Sequence, residues 1–350
     1  MLAGQDKTGR LDSLFTEAFK ANVFNGNVLI AEKGEVIFKK SFGLADEINK
    51  TKLTEYFVFD LGSVSKQFTA MGIVLLQKQM KLNYDDKLSL YIPGLYYYQG
   101  VTIKNLLQHT GGLPDYMELF EDNWNKSRFA TNEDIIHQLI KYKPAKLFDP
   151  GQRYEYSNTG YTLLASVIER VSGKKFGHFL HDNIFAPLTM TNTRVYQGRY
   201  NPQPIENYAL GYITDSLNHK ILPDDLGKDF YTFYLDGVVG DGLISSTTTD
   251  LLKWDRALYT DQLVIASDKE LLFNQGVKME DQNTRYGFGW IIEDNPVFGK
   301  IVYHSGNWAG YISHIERHID TDKTIILLQN NFSEKTSVPV KEICEILYDH

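Results

Sequence analysis

A serine three residues ahead of a lysine can place a hydroxyl and an amine on one helical face, within hydrogen-bonding reach of each other. Ser63 and Lys66 stand so in LGSVSKQFTA, which runs directly into the apolar stretch MGIVLL. Apolar neighbours such as Phe68 and Met71 would desolvate the amine, lower its pKa and free it to take a proton. A serine at a helix start also lies near unpaired backbone N–H groups that can hold a developing oxyanion. The chemistry suggested is nucleophilic acyl transfer. Spacing alone does not carry it, because Ser172 and Lys175 repeat the pattern. That second copy sits on Gly173 at a helix end among solvated neighbours, whereas the first opens a long buried helix.

Two further groups suit the same chemistry. Tyr156-Ser157-Asn158 follows the turn signal Asp149-Pro150-Gly151 and precedes a helical pattern. A phenol beside an ammonium loses its proton more easily, and an amide can both orient the lysine and contact a substrate amide. The plainer reading has Tyr156 packing and Asn158 capping the helix. His304-Ser305-Gly306, followed by Asn307, ends a strand-like run, where glycine would let a substrate backbone approach the strand. His109-Thr110-Gly111 fits the same pattern but enters a Gly-Gly-Leu-Pro turn and reads as a structural bend. His314 and His318 lie on a strand-like run, so their Cα atoms would be about 13 Å apart, too far to share an ion. With Glu316 they read as one polar sheet face. Tyr96 to Tyr98 and the group Tyr231, Phe233 and Tyr234 read as loop anchors in preference to a substrate entrance. No Gly-x-Ser-x-Gly elbow occurs.

The elements that must position these residues follow from periodicity. Residues 9–22 show helical spacing, and GNVLIAEKGEVIFKKSFG reads as a hairpin turning at Lys33-Gly34. TIKNLLQHT, TNEDIIHQLIKY, SNTGYTLLASVIERVSG and KKFGHFLHDNIF read as helices, the third stopped by Gly173. The helix TTDLLKWDRAL leads into strand-like YGFGWIIED, KIVYHSG, GYISHIERHI and KTIILLQNN, and residues 337–348 return to helical spacing. The expected class is α+β. An antiparallel sheet assembled from residues 1–80 and 240–350 is flanked by helices, residues 81–239 form an inserted, mostly helical domain, and the site lies in the cleft between them.

Composition limits the partners. Of 350 residues 43% are hydrophobic, enough for a large core, and the formal net charge of -8 with no basic run leaves no surface for nucleic acid. No stretch reaches the roughly 18–20 apolar residues of a membrane span, and MLAGQDKTGR lacks the apolar core of a signal peptide. The single cysteine, Cys344, excludes an intrachain disulfide and a cysteine-rich zinc site.

Taken together, Ser63-x-x-Lys66, Tyr156-x-Asn158 and His304-x-Gly306 resemble the three motifs of the serine β-lactamase and penicillin-binding-protein superfamily. The branch is the one holding class C β-lactamases, D-alanyl-D-alanine carboxypeptidases, D-aminopeptidases and related esterases. LLQHTGGLPD, GDGLISSTTTDLLKW and YGFGW are also similar to it, so the resemblance runs from about residue 25 to 330. It implies that Ser63 forms an acyl-enzyme and that Lys66 and Tyr156 share the acid–base work. It also implies that Asn158 holds Lys66 and contacts substrate, that the Ser63 and Asn307 backbone N–H groups make the oxyanion hole, and that His304 and Gly306 shape the substrate strand. No metal or organic cofactor is implied. The substrate would be a small amide, ester or D-amino-acid peptide, met outside the cytoplasm. The alternatives are a carboxylesterase, a weak β-lactamase, a penicillin-recognising sensor that acylates without turnover, and a relative without catalysis. Class C β-lactamases carry lysine where this chain has His304. A histidine with an ordinary pKa of about 6.5 is mostly neutral at pH 7, so carboxylate-bearing substrates should be held less firmly, and less so as pH rises.

Overall fold

The computed structural model describes residues 2–217, 219–333 and 335–349. Its centre is an eight-stranded antiparallel sheet. In spatial order the strands are Val277–Lys278, Thr284–Tyr286, Ile291–Asn295, Gly299–Trp308, Tyr311–His318, Lys323–Gln329, Gly26–Glu32 and Glu35–Phe42. The first hairpin of the chain thus closes on its last strand, with Val28 opposite Leu327 and Ile30 opposite Ile325. The hairpin turn places both Lys33 and Gly34 at positive φ, 51° and 80°, the twist a two-residue turn needs.

Central strands carry apolar residues on both faces because both faces are covered. Val28, Ile30, Ile325 and Leu327 pack under the helices Leu2–Lys20 and Val340–Tyr348, against Leu11, Phe15, Ile343 and Leu347. Leu29, Ala31, Ile326 and Leu328 point the other way, into the larger core shared with the helix Lys66–Lys78. That helix is buried without a break from Lys66 to Leu76, so no face of that stretch meets solvent. The helix Asn158–Ser172 packs beside it and stops where Gly173 turns left-handed at φ 69°.

One expectation needs correction. YGFGWIIED is two strands, Thr284–Tyr286 and Ile291–Asn295, parted by Gly289 at φ 78°. A Cβ on Gly289 would lie 2.9 Å from Lys66 O and Gln67 Cα, so this loop backs directly onto the first turn of the buried helix. The span 81–239 also contributes short strands. Arg194–Val195 pairs with Ile244–Ser246, which pairs with Phe59–Asp60 just ahead of Ser63, and Tyr212–Thr214 joins Asn331–Phe332 and Lys220–Ile221. Strands of two or three residues show no period to read. Among the described residues no helix is long and apolar enough to cross a membrane.

Candidate active site

Ser63 lies on a single 3-10 turn, Gly62–Ser65, that continues into the helix Lys66–Lys78. In a 3-10 turn residues i and i+3 eclipse, which draws serine and lysine together. Lys66 Nζ is 3.1 Å from Ser63 Oγ, 3.0 Å from Asn158 Oδ1 and 2.8 Å from the Asp241 carbonyl. These three acceptors use all three ammonium donors. Burial lowers the lysine pKa to about 8, despite the opposing pull of the Asp241 and Asp115 carboxylates.

Tyr156 stands over this amine, its ring centroid 4.9 Å from Nζ. The residue as a whole is 38% exposed, but its hydroxyl end faces Ser63. Burial pushes the phenol well above its ordinary pKa; the hydrogen bond with Ser63 only partly offsets this. Asn158 does not cap its helix. Its side chain bridges Lys66 and Asp115, with Nδ2 3.1 Å from Asp115 Oδ2, and its backbone N–H donates to the same oxygen at 3.0 Å. The second Ser-x-x-Lys is dispersed: Lys174 pairs with Asp182 and Lys175 with Glu169.

The strand Gly299–Trp308 reaches the serine turn through its glycine. A Cβ on Gly306 would sit 1.9 Å from Leu61 O, and one on Gly62 would sit 2.8 Å from Asn307 N. Gly306 therefore admits the chain's own serine turn, where a substrate backbone had been expected. The consequence is that Asn307 N–H and Ser63 lie on adjoining backbones. His304 also departs from expectation. It is buried, with Nε2 3.0 Å from Tyr286 Oη and Nδ1 2.7 Å from the Ser305 carbonyl, a pattern that fits a neutral ring with its proton on Nδ1. Burial, with the Lys66 charge nearby, pushes its pKa down to about 3. The expected weakening of carboxylate binding through a pKa near 6.5 is accordingly corrected: His304 has no charge to lose between pH 5.5 and 8.

A cavity of about 310 Å³ opens in front of Ser63, with Asn158, Asn307, Tyr231 and Trp308 in its wall. Its charged lining residues are Asp60 and Asp241. Burial raises both, Asp60 to about 6. Tyr98 is a loop anchor as read, its hydroxyl on the Pro144 carbonyl, but Tyr231 lines the cavity with its ring edge-on to Trp308 at 4.9 Å.

Sequence reasoning missed Asp115, Asp241 and the part played by His109. Asp115 and Asp241 lie inside LLQHTGGLPD and GDGLISSTTTDLLKW, whose likeness was seen without a role for either residue. His109 does form a bend, at φ 55°, yet its ring also backs Tyr156 at 4.3 Å and its Nδ1 accepts the Ser157 N–H at 3.1 Å. It thereby fixes the loop that presents the phenol.

A large antiparallel sheet flanked by helices, with a buried lysine on a half-buried serine, defines a serine hydrolase of the β-lactamase and penicillin-binding-protein superfamily. The family model described as Beta-lactamase matches residues 11–343, and the chain belongs to that family. It is 43% identical over 327 residues to penicillin-binding protein 4* of Bacillus subtilis (strain 168), covering 93% of this chain and 72% of that one. The octameric penicillin-binding protein homologue from Pyrococcus abyssi superposes with a TM-score of 0.83 at 26% identity, over 97% of this chain and 76% of the other. D-amino acid amidase from Ochrobactrum anthropi SV3 gives 0.79 at 25% identity, over 99% and 98%.

The glycine contact yields a direct test. Gly306→Ala must push the strand off the serine turn, an overpacking cost of about 1–3 kcal/mol. The expected result is a Tm lower by roughly 2–4 °C in a chain of this size. Hydrolysis should fall by at least about tenfold, since a 1 Å misplacement at a reacting centre can cost more. Thermal melts and initial rates on the same preparation check both.

Proposed function

We propose that the protein hydrolyses a small amide or ester through an acyl-enzyme on Ser63, and that D-amino-acid amides and peptides fit it best. The observation that carries this reading is Lys66, an amine 3.1 Å from Ser63 Oγ whose pKa of about 8 leaves a usable neutral fraction at pH 7. In that form Lys66 takes the Ser63 proton as Oγ bonds to the substrate carbonyl carbon. The oxyanion faces the Ser63 and Asn307 backbone N–H groups. Tyr156, held protonated by its raised pKa, gives its proton to the departing amine or alcohol and recovers one from Lys66. Water then attacks the ester by the same route, and Ser63 regains its proton. Asn158 holds the lysine and offers its amide to substrate, and His304 and Gly306 set the strand. This assigns the base to Lys66 over a tyrosinate.

The cavity's charge supports the substrate class. Two carboxylates line it and His304 is neutral, so an anionic β-lactam finds no charge at the His304 position, while the nearby Lys66 is already held by Asn158 Oδ1 and the Asp241 carbonyl. The likeness to D-amino acid amidase points the same way, and that to penicillin-binding proteins supports action outside the cytoplasm.

Intact-mass analysis with a cephalosporin, a short-chain aryl ester, a D-alanyl-D-alanine peptide and a D-amino-acid amide tests the reading. One acyl adduct on Ser63 that clears with the ester and the amide is expected, with kcat/KM rising through pH 8 and level above about 9. An adduct that persists for hours without turnover would make the protein a sensor, and no adduct with any probe would overturn the proposal.

A further inference from the structure

The strand Tyr311–His318 carries His314, Glu316 and His318 on the face away from Ser63, and the helix Val340–Tyr348 covers them. The polar face read from sequence exists, but it is buried. His314 Nε2 lies 3.0 Å from one Glu316 oxygen and His318 Nε2 lies 2.8 Å from the other. Cys344, from the helix, brings its Sγ to 3.7 Å from both Glu316 Oε1 and His318 Nε2.

We propose that Glu316, His318 and Cys344 form a site for a zinc-like divalent transition ion that pins the C-terminal helix to the back of the sheet. The geometry carries it first. Sγ, Nε2 and Oε1 converge within 4.8 Å of one another. A tetrahedral zinc with ordinary Zn–S, Zn–N and Zn–O bonds needs ligand edges of about 3.6 Å to sulfur and about 3.3 Å between nitrogen and oxygen. Two edges already match, and the third must open by about half an ångström.

The surrounding groups are those that orient metal ligands. His318 Nδ1 is 2.8 Å from Tyr348 Oη, which is 2.6 Å from Thr321 Oγ1. The free Glu316 oxygen is held by His314, whose Nδ1 is 2.9 Å from Ser305 Oγ.

Charge is the second argument. Both Glu316 oxygens lie within hydrogen-bonding distance of an imidazole nitrogen, the setting of a carboxylate that brings its negative charge into the interior. A dication with the Glu316 carboxylate and a Cys344 thiolate forms a neutral cluster. On binding, the Cys344 proton leaves to solvent, and the His318 proton shifts from Nε2 to Nδ1, where Tyr348 accepts it. The thiolate and imidazole select zinc or cobalt over magnesium and calcium. One cysteine cannot build a cysteine-rich site, but it supplies one ligand of a mixed one, and a bound water completes four-coordination.

The test uses the full chain stripped with a chelator and titrated with Zn²⁺ or Co²⁺ alone. One equivalent per chain is expected, with Co²⁺ giving a thiolate charge-transfer band in the near ultraviolet. Saturation at 100 times Kd should raise Tm by about 4 °C. Cys344→Ser should lose the band and bind about 100-fold more weakly or worse. Ester hydrolysis by the wild type should stay within about twofold with and without metal, because the site lies across the sheet from Ser63. Absence of stoichiometric binding, a cobalt spectrum without the sulfur band, or unchanged affinity in Cys344→Ser would overturn the proposal. The wild-type cobalt spectrum decides the matter even if the variant does not fold.

Discussion

Ser63→Ala is expected to abolish measurable turnover, with kcat/KM lower by on the order of 10⁴-fold or more, and to leave no mass adduct with any acylating probe. The size follows from the pathway. Without Oγ the cavity can still bind substrate and polarise its carbonyl, but a water would have to be placed where the hydroxyl stood for the Lys66 amine to deprotonate it. The fold should be nearly indifferent. Ser63 is half-buried, and its hydroxyl meets the Tyr156 phenol and the Lys66 amine, which keeps two other acceptors, Asn158 Oδ1 and the Asp241 carbonyl. A stability change within about 1 kcal/mol is anticipated. Circular dichroism and a melt alongside the kinetics separate lost chemistry from lost structure. Hydrolysis at near wild-type rate by a pure, folded Ser63→Ala would remove the acyl-enzyme assignment.

The serine and lysine were readable because their order and distance are local. Three residues on one turn leave little choice of geometry, and the unbroken apolar run behind them announced the burial that lowers the lysine pKa. Tyr156 and Asn158 were readable as a pair, on a loop ending at a helix start, but not as a network, since Asp115 is 43 residues away in sequence and meets Asn158 only after folding. His304 shows the limit most plainly. Its position at the end of a strand was clear, yet strand alternation cannot say that Tyr286, on another strand, will take one ring nitrogen and the chain's own carbonyl the other. Gly306 was given the right reason, close backbone approach, and the wrong partner. The parity of the strand decides this. Ser305 turns to the helix-covered face to meet His314, whereas His304 and Gly306 turn toward the serine, so one strand serves both the reaction cavity and the cluster behind the sheet.

Lys66→Met should lower the acylation rate by about 10³–10⁴-fold while leaving Ser63 able to accept an adduct slowly from a reactive aryl ester. Methionine keeps the length and apolar contacts of the stem and removes the nitrogen. Asn158 Oδ1 and the Asp241 carbonyl then lose a donor, at about 1–3 kcal/mol for each acceptor left buried and unpaired. Removal of a fully buried ammonium offsets part of that, so the expected Tm change is a fall of only a few degrees. The pH profile is the sharper measurement. A base works only when unprotonated, so wild-type kcat/KM should rise with pH, pass half-height near 8 and level off above it. In Lys66→Met this limb should vanish, leaving a low rate that depends on pH only through hydroxide. Tyr156→Phe should keep the limb and lose activity by a smaller factor, about 10–100-fold, because the phenol serves the leaving group and its raised pKa keeps it from acting as a base below pH 9. The opposite pattern, with the limb kept in Lys66→Met and lost in Tyr156→Phe, would move the proton acceptor from the lysine to the tyrosine.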